Sequence, residues 1–258
     1  MNAPDGRLCE QVAIVTGGAG GIGRATCRAL AQAGAQVLVA DVNPVRLAET
    51  IESLETVAAR PPVAVAVDLR NEADADGLAR EALTRWGRID ILVNAAGVLR
   101  GPGQTPRAVA DLSLAEWTLI LETNLRAVFL SCRAVLPTML RQRRGDIVNL
   151  SSTSGRQGIA FDAAYCASKF GVIGFSEALA DEVRTHGVRV QAVLPGAVDT
   201  PLWQQNGPLF RPRDIMAPER VANLIAFLVG LPDDVWLQHA MLLPLGSRHR
   251  VEGTGGSK

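Results

Sequence analysis

Residues 12–34 read Val-Ala-Ile-Val-Thr16, then Gly17-Gly-Ala-Gly-Gly-Ile-Gly23, then Arg24-Ala-Thr-Cys-Arg-Ala-Leu-Ala-Gln-Ala-Gly34. The opening run is apolar, β-branched and of strand length. The closing run carries its apolar residues at helical spacing until Gly34 stops it. A strand, a tight glycine loop and a helix in that order imply a parallel sheet whose strands are joined by helical crossovers.

The pattern repeats downstream. Strands are predicted at 36–40, 63–67, 89–94, 146–150 and 189–194, with a last one in 239–246, and helices at 44–58, 72–86, 114–141, 163–185 and 218–231. No linker or shift in composition divides the halves. The expectation is one α/β domain over 1–247, doubly wound, with a mostly parallel seven-stranded sheet and right-handed crossovers. The proline-rich stretch 199–217 has no clean period and lies between a strand and a helix, as functional loops do. Residues 248–258 are Gly-rich and polar and read as a flexible tail.

With 258 residues, 48% apolar and 20% charged, the composition is that of an ordinary globular chain. Twenty-six Lys and Arg balance 26 Asp and Glu, so the basic excess that phosphate backbones require is absent and nucleic acid is not an expected partner. No apolar run approaches the roughly 20 residues that span a bilayer. Met1 to Arg7 is short and polar, and the expectation is a soluble cytoplasmic protein without a membrane partner. Cys9, Cys27, Cys132 and Cys166 are scattered, and His186, His239 and His249 stand alone, so free thiols and no metal site are expected.

In the glycine loop, the missing side chains let backbone approach a pyrophosphate, whose charge the following helix N-terminus favours. Gly18, Gly20 and Gly23 fit GxGxxG, while Gly17, Gly21 and Gly23 fit TGxxxGxG equally well. Asp41 ends the second strand, 18 residues after Gly23. A carboxylate there can accept from both ribose hydroxyls of an adenosine and would repel a 2′-phosphate. Neither Ala19 nor Gly20 supplies a cation for such a phosphate, so NAD is favoured over NADP. Asp68, after the third strand, is placed either to accept from the adenine amino group or to make a turn.

Tyr165, the single tyrosine, precedes Lys169 by four residues in a helical pattern, which puts both on one face. A phenol of pKa about 10 is a poor acid or base at neutral pH. A neighbouring ammonium and a cationic nicotinamide would favour its phenolate. Ser152 lies at the carboxyl end of a strand, where loops of such sheets form the binding crevice, and its hydroxyl could donate to a substrate oxygen. Asn94-Ala95-Ala96-Gly97 ends another strand at that edge with small residues that leave room for a flat ring or a ribose. Asn124 stands inside a predicted helix, where Asn is unfavourable unless its side chain has a task. Pro195-Gly196-Ala197-Val198-Asp199-Thr200 closes a further strand with backbone groups and a hydroxyl suited to fix a carboxamide.

From Val12 to Thr200 these residues, in their order and spacing, resemble the short-chain dehydrogenase/reductase family in its shorter branch. The resemblance implies a Rossmann-type fold and a tetrad of Asn124, Ser152, Tyr165 and Lys169. In it Tyr165 is the acid/base, Ser152 holds the substrate oxygen, Lys169 bridges to the nicotinamide ribose and Asn124 holds a proton-relay water. The cofactor contacts implied are Gly17, Gly21, Ile22, Gly23, Asp41, Asp68, Asn94, Ala95, Gly97, Pro195, Gly196, Val198 and Thr200, with Tyr165 and Lys169. The reaction implied is NAD-dependent interconversion of a secondary alcohol and a ketone. The assembly implied is a homotetramer or homodimer packed through the helices at 114–141 and 163–185.

An NADP-preferring carbonyl or 3-oxoacyl reductase is the alternative enzyme. A non-catalytic NAD-binding or sensor protein is the alternative of another class, and it would be expected to lack part of the tetrad. Many relatives carry Asp-Gly-Gly on the last strand where 239–246 reads His-Ala-Met-Leu-Leu-Pro-Leu-Gly, which puts the C-terminal tetramer contact in question. Leu202, Trp203, Leu209 and Phe210 stand beside Arg211 and Arg213 in the loop, and Arg100 and Arg107 flank a Gly/Pro-rich segment. An apolar pocket with a cationic rim is expected, suited to a hydrophobic alcohol or ketone that carries a carboxylate, with solvated surface arginines as the plainer reading.

Overall fold

The computed structural model describes residues 8–209 and 214–246. The expected tail at 248–258, the residues Phe210, Arg211 and Arg213, and the side chain of Leu209 lie outside that description. Among the described residues seven strands and seven α-helices follow in the order β1 (Val12–Thr16), α1 (Gly21–Gln32), β2 (Gln36–Asp41), α2 (Pro44–Glu55), β3 (Val63–Ala66), α3 (Glu72–Trp86), β4 (Ile91–Asn94), α4 (Leu114–Leu121), α5 (Ala127–Gln142), β5 (Gly145–Leu150), α6 (Ala163–Val183), β6 (Val188–Pro195), α7 (Pro218–Val229) and β7 (His239–Leu242). All strand pairs are parallel, in the order β3-β2-β1-β4-β5-β6-β7. Among the described residues no helix is long and apolar enough to cross a membrane.

Three helices start where the sequence supplies a side-chain acceptor for their first free N–H groups. The side chains of Asn43, Asn71 and Ser113 take hydrogen bonds from Arg46, Ala73 and Glu116 at the heads of α2, α3 and α4. β1 shows why the strands read as unbroken apolar runs. Ala13 and Val15 enter the core shared with α1 and α7, whereas Val12 and Ile14 enter the core shared with α3, α5 and α6. A strand covered on both faces needs apolar residues at every position.

Two elements differ from the sequence reading. The helix predicted over 114–141 is divided by a π turn at Glu122–Arg126, and α1 begins at Gly21 instead of Arg24. The π turn sits where Asn124 turns inward. Its amide donates to the Val98 carbonyl at 2.8 Å and to Ser168 Oγ at 3.0 Å, and its carbonyl accepts from Val98 N at 2.8 Å. The widened turn turns Asn124 fully inward, as π bulges at functional positions commonly do.

The chain leaves β1 toward β2 and β4 toward β5, so the loops beyond these two neighbouring strands part and open a crevice at their carboxyl ends. Beneath it lies a buried polar cluster. Asn94 donates to Asn149 Oδ1 at 2.8 Å, Asn149 donates to Ser176 Oγ at 2.9 Å, and Ser131 donates to Asn94 Oδ1 at 2.7 Å. Every partner is nearly inaccessible to solvent, so a truncation leaves buried polar groups without mates. Asn149→Ala is expected to cost about 2 kcal/mol and to lower Tm by about 4–8 °C, measured by thermal denaturation followed by circular dichroism.

Candidate functional site

The turn after β1 depends on glycine at two positions. Gly17 has φ +61° and lies so close to Ala96 that a Cβ would overlap its backbone. It is Gly17, not Gly18, that takes the left-handed conformation, in keeping with the TGxxxGxG spacing. Gly21 lies against the side chain of Thr200, with no room for a Cβ. The loops after β1, β4 and β6 therefore meet, and between them runs a cleft of about 400 Å³. Gly20, Gly21, Ile22 and Gly23 form one wall, and Ala95, Gly97, Pro195 and Thr200 complete it with Tyr165 and Lys169. A glycine cradle at the head of α1, open to a cleft of this length, fits a dinucleotide.

The acidic positions divide. Asp41 sits at the carboxyl end of β2, its carboxylate accepting from Ala19 N at 3.1 Å and from Asn43 N at 3.0 Å. Asp68 is gripped by Arg70 at 2.5 Å, and that hydrogen-bonded pairing holds its carboxyl below the usual range. Asn94 belongs to the buried cluster below the crevice, so the cleft is lined by Ala95 and Gly97 and not by its side chain. Arg46, in the first turn of α2, also lines the cleft. Arg46 lies beyond Val42 and Asn43, the two residues after Asp41, neither of which is a cation. Its spacing, five residues after Asp41, was the available signal.

Tyr165 and Lys169 lie on one face of α6, with Lys169 Nζ 5.7 Å from the centre of the phenol ring. Lys169 donates to the Leu150 carbonyl at 2.9 Å, and burial draws its pKa down to about 8. Burial pushes the Tyr165 phenol up to about 12; a hydrogen bond with Ser152 opposes this, while Asp162 and Cys166 reinforce it. The ammonium was expected to favour a phenolate. In the structure burial is the largest influence on the phenol and raises it. Asn124 reaches the same helix through Ser168, whose hydroxyl donates to the Tyr165 carbonyl at 2.7 Å.

A second cavity of about 290 Å³ adjoins the cleft and shares Tyr165, Thr200 and Leu202 with it. Leu99, Ile159, Val198, Leu202 and Trp203 make it largely apolar, and Ser152 and Tyr165 face it from one end. Among the described residues lining it, Asp162 alone is charged. The expected cationic rim is not built from Arg100, because that side chain is buried and paired with Asp162. The segment Pro201–Leu209 covers both cavities. It is held by Trp203 Nε1 donating to the Val198 carbonyl at 2.7 Å, and by Gln205 Oε1 accepting from Leu99 N at 2.8 Å and Arg100 N at 3.1 Å. Gln205 went unmarked in the sequence, since nothing local pairs it with residues more than 100 positions away.

The family model for short chain dehydrogenases matches residues 11–208. A 3-oxoacyl-acyl-carrier-protein reductase of Synechocystis is 36% identical over 233 residues, 87% of this chain and 91% of that protein. A hydroxy(phenyl)methylsuccinyl-CoA dehydrogenase subunit of Thauera aromatica is 34% identical over 258 residues, 95% of this chain and 98% of that one. The solved structure of a metagenomic short-chain oxidoreductase in complex with NADP superposes with a TM-score of 0.80 at 31% identity, covering 93% of this chain and all of that one. The matched region contains the glycine loop, the π turn, Ser152, Tyr165 and Lys169. With this sheet order, this cradle for a nicotinamide cofactor and these relatives, the chain belongs to the short-chain dehydrogenase family of oxidoreductases.

Proposed function

We propose that the chain is an NAD-dependent oxidoreductase that interconverts a secondary alcohol and a ketone, with Tyr165 as the acid/base. The observation that carries this reading is the placement of Tyr165 at the junction of the glycine-lined cleft and the apolar cavity, with Lys169 on the one side and Ser152 on the other. The nicotinamide cofactor supplies or accepts the hydride. Tyr165 gives its proton to the carbonyl oxygen in reduction, and Ser152 donates a hydrogen bond to that oxygen. Lys169 would hold the nicotinamide ribose, and Asn124 would fix a relay water. The neutral state of the phenol is the form that reduction consumes. The remaining contact set, Gly17, Gly21, Ile22, Gly23, Asp41, Asp68, Asn94, Ala95, Gly97, Pro195, Gly196, Val198 and Thr200, is proposed to hold the cofactor. In this reading Asp68 acts alongside Arg70, and Asn94 acts through the strand that it anchors.

Asp41 supports NAD, because a carboxylate at the end of β2, beside the glycine loop, would accept from adenosine ribose hydroxyls and repel a 2′-phosphate. Arg46 on the cleft wall is the observation that favours the second reading, an NADP-using 3-oxoacyl reductase. Reduction of a ketone panel (ethyl acetoacetate, cyclohexanone and acetophenone), followed by the absorbance of NADH and of NADPH, decides between them. The expected outcome is a higher kcat/KM with NADH and a narrowed preference in Asp41→Ala. Equal or better use of NADPH by the parent would overturn the NAD assignment.

Tyr165→Phe removes one hydroxyl and is expected to lower kcat by about 10²- to 10⁴-fold, with NADH affinity retained. Lys169→Ala is expected to weaken NADH binding as well as turnover. The acidic form of Lys169 is the useful one, so kcat for reduction should be level through neutral pH and fall as the ammonium loses its proton above about pH 8. A kcat that rose across that range would contradict this assignment.

We further infer that two or more copies associate through α5 and α6. Val128 and Val172 are buried in the protomer, but Phe129 and Phe170 stand 42% and 46% exposed, one on each helix. Arg133 lies 5.3 Å over the Phe129 ring, which shields only part of it. Light scattering at micromolar concentration is expected to give a multiple of 27.3 kDa, and a value equal to that mass would refute the association.

A further inference from the structure

Phe161 takes a φ of +68° immediately before the helix that carries Tyr165. A bulky L residue is sterically disfavoured in that region and stays there only when its surroundings hold it. The Phe161 ring is 60% exposed, so its own packing does not do so. The turn is closed by Asp162 N donating to the Ile159 carbonyl at 3.2 Å, and Arg100 braces it through side-chain contacts. One terminal nitrogen of that guanidinium donates to the Phe161 carbonyl at 3.5 Å and to the Asp162 carboxylate, and the side chain is 6% exposed.

Asp162 stands at the N-cap position of α6, its carboxylate turned to Arg100 instead of capping the helix, and Tyr165 lies in the first turn. A shift of the turn therefore moves the phenol. Arg100 is itself fixed at its root, where its N–H and that of Leu99 share Gln205 Oε1 on the covering segment. A guanidinium suits this buried place because it stays charged, is weakly hydrated and offers several donors in a rigid plane. Its charge also answers that of Asp162, which would otherwise stand in a largely apolar cavity beside Tyr165.

We propose that Arg100 is a positioning residue for Tyr165: it clamps the strained Phe161–Asp162 turn and so sets where the phenol stands between the two cavities. Through Gln205, the same residue ties that placement to the segment Pro201–Leu209. The proposal rests on the reading of Tyr165 as the acid/base. Arg100 itself touches neither the cleft nor the reacting atoms, so its loss should act on turnover more than on binding.

The test uses the ketone of the panel that the parent reduces fastest, with the full chain and NADH. Arg100→Met keeps side-chain length and removes the donors. It is expected to lower kcat about 10- to 100-fold, the scale of an ångström-sized misplacement of a reacting group, while KM for ketone and NADH moves less than about threefold. Phe161→Gly makes the left-handed turn free of strain. Alone it should leave kcat within about threefold of the parent, and in the Arg100→Met background it should restore about tenfold. A residue that merely stabilised the fold would show no such rescue.

Asp162→Ala, which deletes the carboxylate that Arg100 grips, is the second arm. It should lower kcat and respond to Phe161→Gly in the same way, and it carries the test alone if Arg100→Met does not fold. Parental kcat in the folded Arg100 and Asp162 variants, or a loss that Phe161→Gly does not relieve, overturns the proposal while Tyr165→Phe remains inactive. Parental kcat in Tyr165→Phe, or no turnover of any ketone by the parent, removes the functional reading and the proposal with it.

Discussion

Three loops from three separate strands meet at distances that only glycine permits, and the geometry of the site follows from that meeting. The loop after β1 rests on the backbone of Ala96 through Gly17, and Thr200 closes on it from the loop after β6 through Gly21. The sheet fixes where those loops begin, and the absent side chains fix how near they come. A methyl group at either position would push a wall of the cleft outward. Lys169 then reaches across to the Leu150 carbonyl, and Tyr165 is held at the boundary between cleft and cavity.

Burial works against both ionisable groups of this centre, and in opposite senses: the phenol retains its proton more firmly, while the ammonium releases its own more readily. The two pKa values, about 12 and about 8, reverse their usual order, since a free phenol titrates slightly below a free lysine amine. The pair favours the neutral phenol and the charged amine at neutral pH, the combination that gives a proton to a carbonyl. Leu99, Ile159, Val198 and Trp203 give the cavity beside them an apolar wall, and Gln205 pins the neighbouring segment to the backbone of Leu99 and Arg100.

Much of this was legible in the sequence, because the signals were local. Strand periods placed β1 to β6 to within two residues at each end, and the glycine loop fell between the first strand and helix as read. Four-residue spacing put Tyr165 and Lys169 on one face without any knowledge of the sheet. What escaped had partners far along the chain. Asn124 was marked as needing a task, but the π turn that turns it inward depends on Val98 and Ser168. Arg100 was read as a cation for a substrate, because nothing near it reveals Asp162, some sixty positions later. Gln205 carries no motif at all, and only the folded chain brings it to the cleft.

The π turn also governs how tolerant this stretch is to changes of length. Each residue of a regular helix advances about 100° around its axis, and the widened turn at Glu122–Arg126 absorbs one extra residue between α4 and α5. Removing a residue there would make one continuous helix of the two, and it would swing one helix about a quarter-turn relative to the other. Glu116 and Ile120 on α4 would then leave their buried positions if Val128 and Cys132 on α5 kept theirs. The extra residue thus acts as a phase adjuster, reconciling two buried faces that a uniform helix could not both satisfy.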